Sequence, residues 1–327
     1  MENLINTLIN ISPSLIGFVA TVILLYFLPG GKFLLGADRG RKFAVGSEVN
    51  IGKPTGVGFY FVLVIAAVTI GFCHTQLEII LSMILVIIAM ITGFLDDRSK
   101  NPWNEYIKGA LDFVVALLGA AIATFMFPRD VIIGLTGTSI NIPAPFYYIL
   151  AVLLIIVSIN ATNATDGVDG LSGTLTVIAV FAVNLLSVIN KTISPASLTM
   201  CEVIIGTIFA YLIFNYYPSK MLMGDAGSRA IGLFIAMFVM YVRLPFAYLA
   251  VGLPFLIDGG LSILKITIGR LTKKKVIILK NTLTPIHDHL KKRKNFTVPQ
   301  TMLTIVAFGL VIDVIYLGIA ILLHRMG

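Results

Sequence analysis

Charge is what this chain has least of. Only 12% of its 327 residues are Asp, Glu, Lys or Arg, and 57% are hydrophobic. Soluble domains carry about twice that share of charge, so a purely soluble fold is excluded. Cysteine is nearly absent. Cys73 and Cys201 make no CxxC motif and no metal spacing, which excludes a disulfide framework or a thiolate metal centre. Both lie near the ends of apolar segments, so a pairing between them stays open. The soluble nucleotide motifs GxxxxGK and GxGxxG are missing. No basic residue precedes the first apolar run and no small-residue cleavage pattern follows it. That run therefore reads as a membrane helix rather than a secretory leader. There is no low-complexity stretch, no convincing internal repeat and no soluble domain.

What is there is a series of apolar segments. About ten are expected, near 11–30, 57–73, 77–95, 107–127, 145–159, 171–190, 199–217, 229–242, 244–264 and 298–323. Several have the roughly 20 residues that a helix needs to cross the hydrocarbon core. The expected fold is an all-α polytopic membrane protein, with residues 1–327 forming one transmembrane domain. The ninth segment is expected to bend or break at Asp258-Gly259-Gly260. Of the 24 Lys and Arg, 20 fall in or beside the connections after odd-numbered segments, ten of them between Lys265 and Lys294. Only Arg129, Lys191, Arg243 and Arg325 fall on the other side. By the positive-inside rule those basic connections are cytoplasmic and both termini lie outside. The net charge of +8 is then mainly a topology signal, with some attraction for anionic lipid headgroups. It calls for no nucleic-acid partner.

The cytoplasmic connections, near 31–56, 96–106, 160–170, 218–228 and 265–297, hold five polar clusters. Lys53-Pro54-Thr55-Gly56-Val57-Gly58 offers a cation and glycines that let backbone N–H groups approach a phosphate; it also reads as a turn before a helix. Asp96-Asp97 is a repelling pair that needs a metal or a cation beside it. One or both could hold Mg²⁺, or one could take a proton, or the pair could be a solvated cap near Arg98 and Lys100. Lys108 follows, free to reach a phosphate or to pair with Asp112 one turn on. Asn160, Asn163 and Asp166 are spaced three apart, on one face if the segment stays helical, and the Asp166-Gly167 and Asp169-Gly170 steps then break the helix. Gly224-Asp225-Ala226-Gly227-Ser228, with Asn215 upstream, opens a helix where an anion or a metal–anion pair would fit; Asp225 could also be only a helix cap. His287 and His289 flank Asp288 in the long basic connection. No other cytoplasmic His or Cys is available, so phosphate contact is expected rather than zinc. Asp258 and Asp313 lie within apolar segments and are functional candidates on that ground.

Taken together, Asp96-Asp97, the NxxNxxDGxDGL string from Asn160 to Leu171 and the GDxGS turn from Gly224 to Ser228 resemble the polyprenyl-phosphate N-acetylhexosamine-1-phosphate transferase family. The motifs stand in that family's order, and the resemblance spans nearly the whole chain. Pro285-x-His287-x-His289 and Lys53-Pro54-Thr55-Gly56 look like its bacterial phospho-N-acetylmuramoyl-pentapeptide transferase branch. Two departures stand out: Asp288 replaces the middle of that branch's three histidines, and the glycine-rich segment is short.

The resemblance implies a reaction. Undecaprenyl phosphate attacks the sugar-linked phosphorus of UDP-N-acetylmuramoyl-pentapeptide, UMP leaves, and lipid I forms, with Mg²⁺ as cofactor. It implies Asp96, Asp97, Asn160, Asp225, His287 and His289 as catalytic residues. Lys53, Lys108, Asn163, Asp166, Gly167, Asp169 and Asn215 are implied in substrate binding, and Asp225 as the metal ligand. Nucleoside antibiotic inhibitors and a homodimer belong to the same expectation, as does a place in the bacterial cytoplasmic membrane with the site facing the cytoplasm. Two rivals remain. A UDP-N-acetylglucosamine transferase would use the same site with another sugar. A secondary transporter would use midplane carboxylates such as Asp258 and Asp313.

Overall fold

The computed structural model describes residues 12–27, 35–38, 40, 50–99, 103–276 and 278–326. Lys32, Arg39, Arg41, Lys42 and Lys100, which count toward the charge asymmetry, lie outside the described residues. The helices are α1 (Pro13–Phe27), α2 (Gly58–Phe72), α3 (Leu77–Arg98), α4 (Glu105–Met126), α5 (Ala144–Thr165), α6 (Leu171–Ile189), α7 (Pro195–Asn215), α8 (Gly224–Tyr241), α9 (Pro245–Val251), α10 (Leu253–Leu271), α11 (Ile286–Lys294) and α12 (Val298–Met326). Among the described residues, six of them, α3 to α7 and α12, are long and apolar enough to cross a membrane, and the pair α9 and α10 makes a seventh if it forms one bent span. The protein is a polytopic membrane protein.

That count differs from the ten expected. Among the described residues, α1 and α2 cover 15 residues each, fewer than the roughly 20 of a typical crossing. Helix α8 begins with a polar turn, and every residue from Asp225 to Met240 is buried. It contacts each helix from α2 to α7. Its environment is therefore protein, so its first turns can carry Asp225, Ser228 and Arg229 where a lipid-facing helix could not. Phe61, Tyr211, Phe234, Phe238, Tyr248 and Phe255 are fully buried side chains of the core.

The expectation of an all-helical chain needs a small correction. Among the described residues there are two antiparallel ribbons: β1 (Gly36–Ala37) pairs with β2 (Pro54–Thr55), and β3 (Asp130–Ile132) pairs with β4 (Ser139–Asn141). The first draws the Lys53 segment against the end of α3.

Local signals explain several helix starts. Asn104 accepts from the N–H groups of Tyr106 and Ile107 and caps α4. Ser194 and Ser197 form a reciprocal capping box at α7, with Pro195 at its first position. The chain turns by 59° between α9 and α10, at Gly252 rather than at Gly259-Gly260. Pro254 accounts for that: it has no N–H, and its ring crowds the carbonyl four residues back. Residues Leu256–Gly260 instead form a single π-helical turn inside α10.

Candidate active site

The ends of α3, α4, α5 and α8 bring the first polar groups together. Lys108, one turn into α4, forms ion pairs with Asp96 of α3 and with Asp225 of α8, the latter at 3.0 Å. It does not pair with Asp112, the alternative left open by the sequence. Asn163 on α5 donates from Nδ2 to Asp225 Oδ1 at 3.0 Å and to Ser228 Oγ at 2.9 Å. Residues separated by 117 and 62 positions therefore meet on one carboxylate.

The two adjacent aspartates have different jobs. Asp96 accepts from the backbone N–H of Trp103 at 2.7 Å and meets Lys108 with its other oxygen. Asp97 turns toward the start of α8. Its Oδ1 accepts from Asp225 N–H at 3.1 Å and its Oδ2 from Ala226 N–H at 3.0 Å. These are two of the orphan donors at a helix N-terminus. Asp97 is thus the cap of α8, supplied from another helix, and Asp225 is not its own cap. The anion place that the sequence assigned to this N-terminus holds a protein carboxylate. Gly224 makes the approach possible: its φ is +68°, and a Cβ there would collide with the Asp97 carboxylate.

Arg229, one turn further along α8, donates to Asp112 Oδ1 from Nε at 3.1 Å and Nη2 at 2.5 Å. Both residues are buried. Nη2 also lies 3.5 Å from the carbonyl of Lys108, so this pair braces the turn that carries the lysine. It was not foreseen. An arginine in an otherwise apolar helix was the available signal, because such a charge needs a buried partner.

A second group surrounds the Asp166–Gly170 turn. Asn160 and Asn163 lie on α5 and Asp166 at its C-terminal end. Asn160 Nδ2 bonds to the Ile156 carbonyl within its own helix. Asp169 Oδ2 accepts from Ser219 N–H at 2.9 Å, and Lys53 Nζ donates to Ser219 Oγ at 2.9 Å. Asn215 accepts from Gly170 N–H and donates to the Met221 carbonyl. Lys53, Asp169 and Asn215 therefore bind the β2, 166–170 and 218–222 segments into one shelf, and both ends of the Asn215 amide are used in doing so.

The histidines approach the same turn from α11. His287 is buried, with its backbone N–H 2.7 Å from Asp258 Oδ1 and its Nδ1 2.8 Å from Asp258 Oδ2. Its Nε2 edge faces Gly167, where a Cβ would collide with the ring. Lys291 Nζ lies 3.4 Å from the Gly167 carbonyl and 3.5 Å from Asp288 Oδ1. His289 points elsewhere, accepting from Leu283 N–H at 3.3 Å through Nδ1.

Among the described residues, no three His, Cys, Asp or Glu side chains converge as a metal cage. Asp96 and Asp225 nevertheless share a single ammonium, with Asp97 beside them. Mg²⁺ is commonly held by one or two carboxylates together with substrate phosphates and water, so an Asp225-centred donor set fits that ion.

Residues 79–243 match glycosyl transferase family 4. Over 293 residues the chain is 31% identical to the phospho-N-acetylmuramoyl-pentapeptide-transferase of Treponema pallidum (strain Nichols), covering 84% of this chain and 80% of that protein. The protein of the same name from Lacticaseibacillus paracasei is 28% identical over 282 residues, 83% of this chain and 85% of its own. That from Staphylococcus haemolyticus is 28% identical over 264 residues, 73% and 77% of the two chains.

Proposed function

The chain belongs to glycosyl transferase family 4, and on that premise we propose that it transfers phospho-N-acetylmuramoyl-pentapeptide from UDP-N-acetylmuramoyl-pentapeptide to undecaprenyl phosphate. An oxygen of the lipid phosphate forms a bond to the sugar-linked phosphorus. The bond from that phosphorus to the bridging oxygen breaks, and UMP departs with the electron pair. One pyrophosphate replaces another, so the reaction is close to balanced and reversible.

The observation that carries the proposal is Lys108 between Asp96 and Asp225, with Asn163 on the same carboxylate. Phosphoryl transfer depends on positioning and charge neutralisation more than on covalent help. Lys108 and Asn163 hold the Asp225 carboxylate in one orientation. Asp225 is the residue to hold Mg²⁺, whose chemistry is to draw charge from the pyrophosphate oxygens. Asp96, at the end of α3 and paired with Lys108, is the group assigned to orienting the lipid phosphate or taking its proton. Asp97 holds the Gly224-Asp225 turn through its two backbone bonds. Lys291 brings a donor to the Asp166–Asp169 turn, and the Nε2 edge of His287 lies against it. That turn, with Lys53, is the region for the nucleoside end of the donor and for nucleoside inhibitors.

On this reading the whole chain is one catalytic domain of the bacterial cytoplasmic membrane. The polar end faces the cytoplasm and both termini lie outside, as the Lys and Arg asymmetry implies. The test is a donor panel on purified protein with undecaprenyl phosphate and Mg²⁺. UDP-N-acetylmuramoyl-pentapeptide should release UMP, and UDP-N-acetylglucosamine should not. Release from the second donor alone would transfer the chain to the N-acetylglucosamine branch. No release from either would remove the reading, and loss of release in EDTA would bear on the metal.

A further inference from the structure

From the geometry we infer that Asp258 is a positioning residue for this site, acting through His287; the inference rests on the proposed transfer reaction for its catalytic consequence. Asp258 lies in the π-helical turn Leu256–Gly260 of α10 and is 1% exposed. A carboxylate in such surroundings is costly unless its oxygens are used. Both are, and on one residue: Oδ1 takes the backbone N–H of His287 and Oδ2 takes its Nδ1.

Two consequences follow from that bidentate contact. The carboxylate accepts and cannot donate, so Nδ1 carries the proton and Nε2 is the working atom of the ring. The contact also fixes where Nε2 points. It lies against Gly167, in the turn between Asp166 and Asp169. The π turn itself packs on α5, the helix that carries Asn160 and Asn163. A π turn widens a helix locally and re-aims its side chains. Here it aims Asp258 out of an apolar helix and under the start of α11. The histidine loop is thereby keyed to the same helix that sets the asparagines, although it belongs to a different part of the chain. Partners of this kind, one step behind the acting group, change activity by about 10- to 100-fold at metal-bound histidines, and a similar range is expected here.

The experiment uses purified full-length protein labelled with ¹⁵N-histidine, in which only four histidines contribute signals. The His287 signals are assigned by comparison with His287→Gln. In the unmodified protein His287 should show a protonated Nδ1 and an unprotonated Nε2. Asp258→Ala should shift it to a mixed or reversed tautomer and lower turnover at least tenfold. Asp258→Glu should restore part of both. If Asp258→Ala is recovered unfolded, the near-isosteric Asp258→Asn takes its place. Unchanged His287 signals together with lost turnover would overturn the inference in favour of a purely structural carboxylate. A shifted tautomer with full turnover would overturn it too. Absence of UMP release from the unmodified protein would instead sink the proposed reaction, and the ¹⁵N signals would still decide whether Asp258 sets the ring.

Discussion

Asp225 and His287 each stand in the first turn of a helix, and each has its backbone N–H taken by a carboxylate from a distant element. Asp97 serves the first and Asp258 the second. The surroundings differ. Asp225 opens α8, an 18-residue helix contacted by every helix from α2 to α7. His287 opens α11, a nine-residue helix of strongly basic sequence that touches α12 and the π turn. The aspartate half is therefore held by the body of the fold, and its capping contact, at about 1 kcal/mol for such caps, is one interaction among many. In the histidine half the same contact is a main anchor. Substitutions in the first half should change chemistry with little movement. In the second they should move the loop, and chemistry should follow.

The largest effect expected is at Asp225. Asp225→Asn keeps the shape, and its amide can still meet Asn163, but the charge is gone. Turnover should fall about a thousandfold, roughly 4 kcal/mol of transition-state stabilisation, with an unchanged melting curve. UMP release above about a tenth of normal would show that Asp225 is not the metal ligand.

Next is the brace behind Lys108. Arg229→Ala leaves Asp112 buried without its guanidinium. Removing one partner of a buried pair costs about 3 kcal/mol or more. Thermal unfolding in detergent should show a clear loss for Arg229→Ala. Replacing both partners with apolar residues, as in Arg229→Leu with Asp112→Leu, should recover most of it. Equal melting temperatures for the single variant and the parent protein would mean the pair does not hold the α4 turn.

A third prediction sharpens the comparison from the histidine side. Gly167→Ala puts a methyl group where the His287 ring lies. Because α11 is lightly held, the loop should give way rather than the fold. About a tenfold loss of turnover is expected, near 1.4 kcal/mol, with the melting temperature preserved. A drop in melting temperature with full turnover would contradict the idea that this half yields by local movement.

The sequence made the contiguous parts of this site readable. Asp96-Asp97, Asn160 to Asp169 and Gly224 to Ser228 are short strings whose residue types already suggest phosphate chemistry. It could not show how they join. The Asp97 oxygens go to backbone donors 128 and 129 positions away, Arg229 meets Asp112 across 117, and His287 meets Asp258 across 29. No local periodicity records such pairings. Segment counting was limited for a related reason. Hydropathy registers an apolar helix whether lipid or protein surrounds it, so it does not show that α8 is a central helix with a polar start. The paired glycines at Gly259-Gly260 suggest a bend there, yet the chain turns elsewhere. The π turn absorbs those glycines, and Pro254 forces the bend earlier, at Gly252.

The smallest effect expected is at Asp288, where the related branch has a histidine. The Asp288 carboxylate lies 3.5 Å from Lys291, three residues on. Lys291 is buried and also reaches the Gly167 carbonyl at 3.4 Å. Asp288→His removes that ion pair and leaves the lysine its carbonyl contact. At 3.5 Å the pair is longer than a charge-assisted hydrogen bond, and the imidazole that replaces the carboxylate can accept from the same ammonium through a ring nitrogen. Turnover should therefore change by no more than about threefold, well under 1.4 kcal/mol, while His287→Ala and His289→Ala each remove most of it. His289 is the weaker member of that pair of expectations, because its Nδ1 is taken by Leu283 N–H and only its Nε2 is available to a ligand. Measuring UMP release for the three variants side by side puts the two halves to their finest test. If Asp288→His abolished release while either alanine variant stayed near normal, the carboxylate rather than the imidazoles would be what α11 brings to the site.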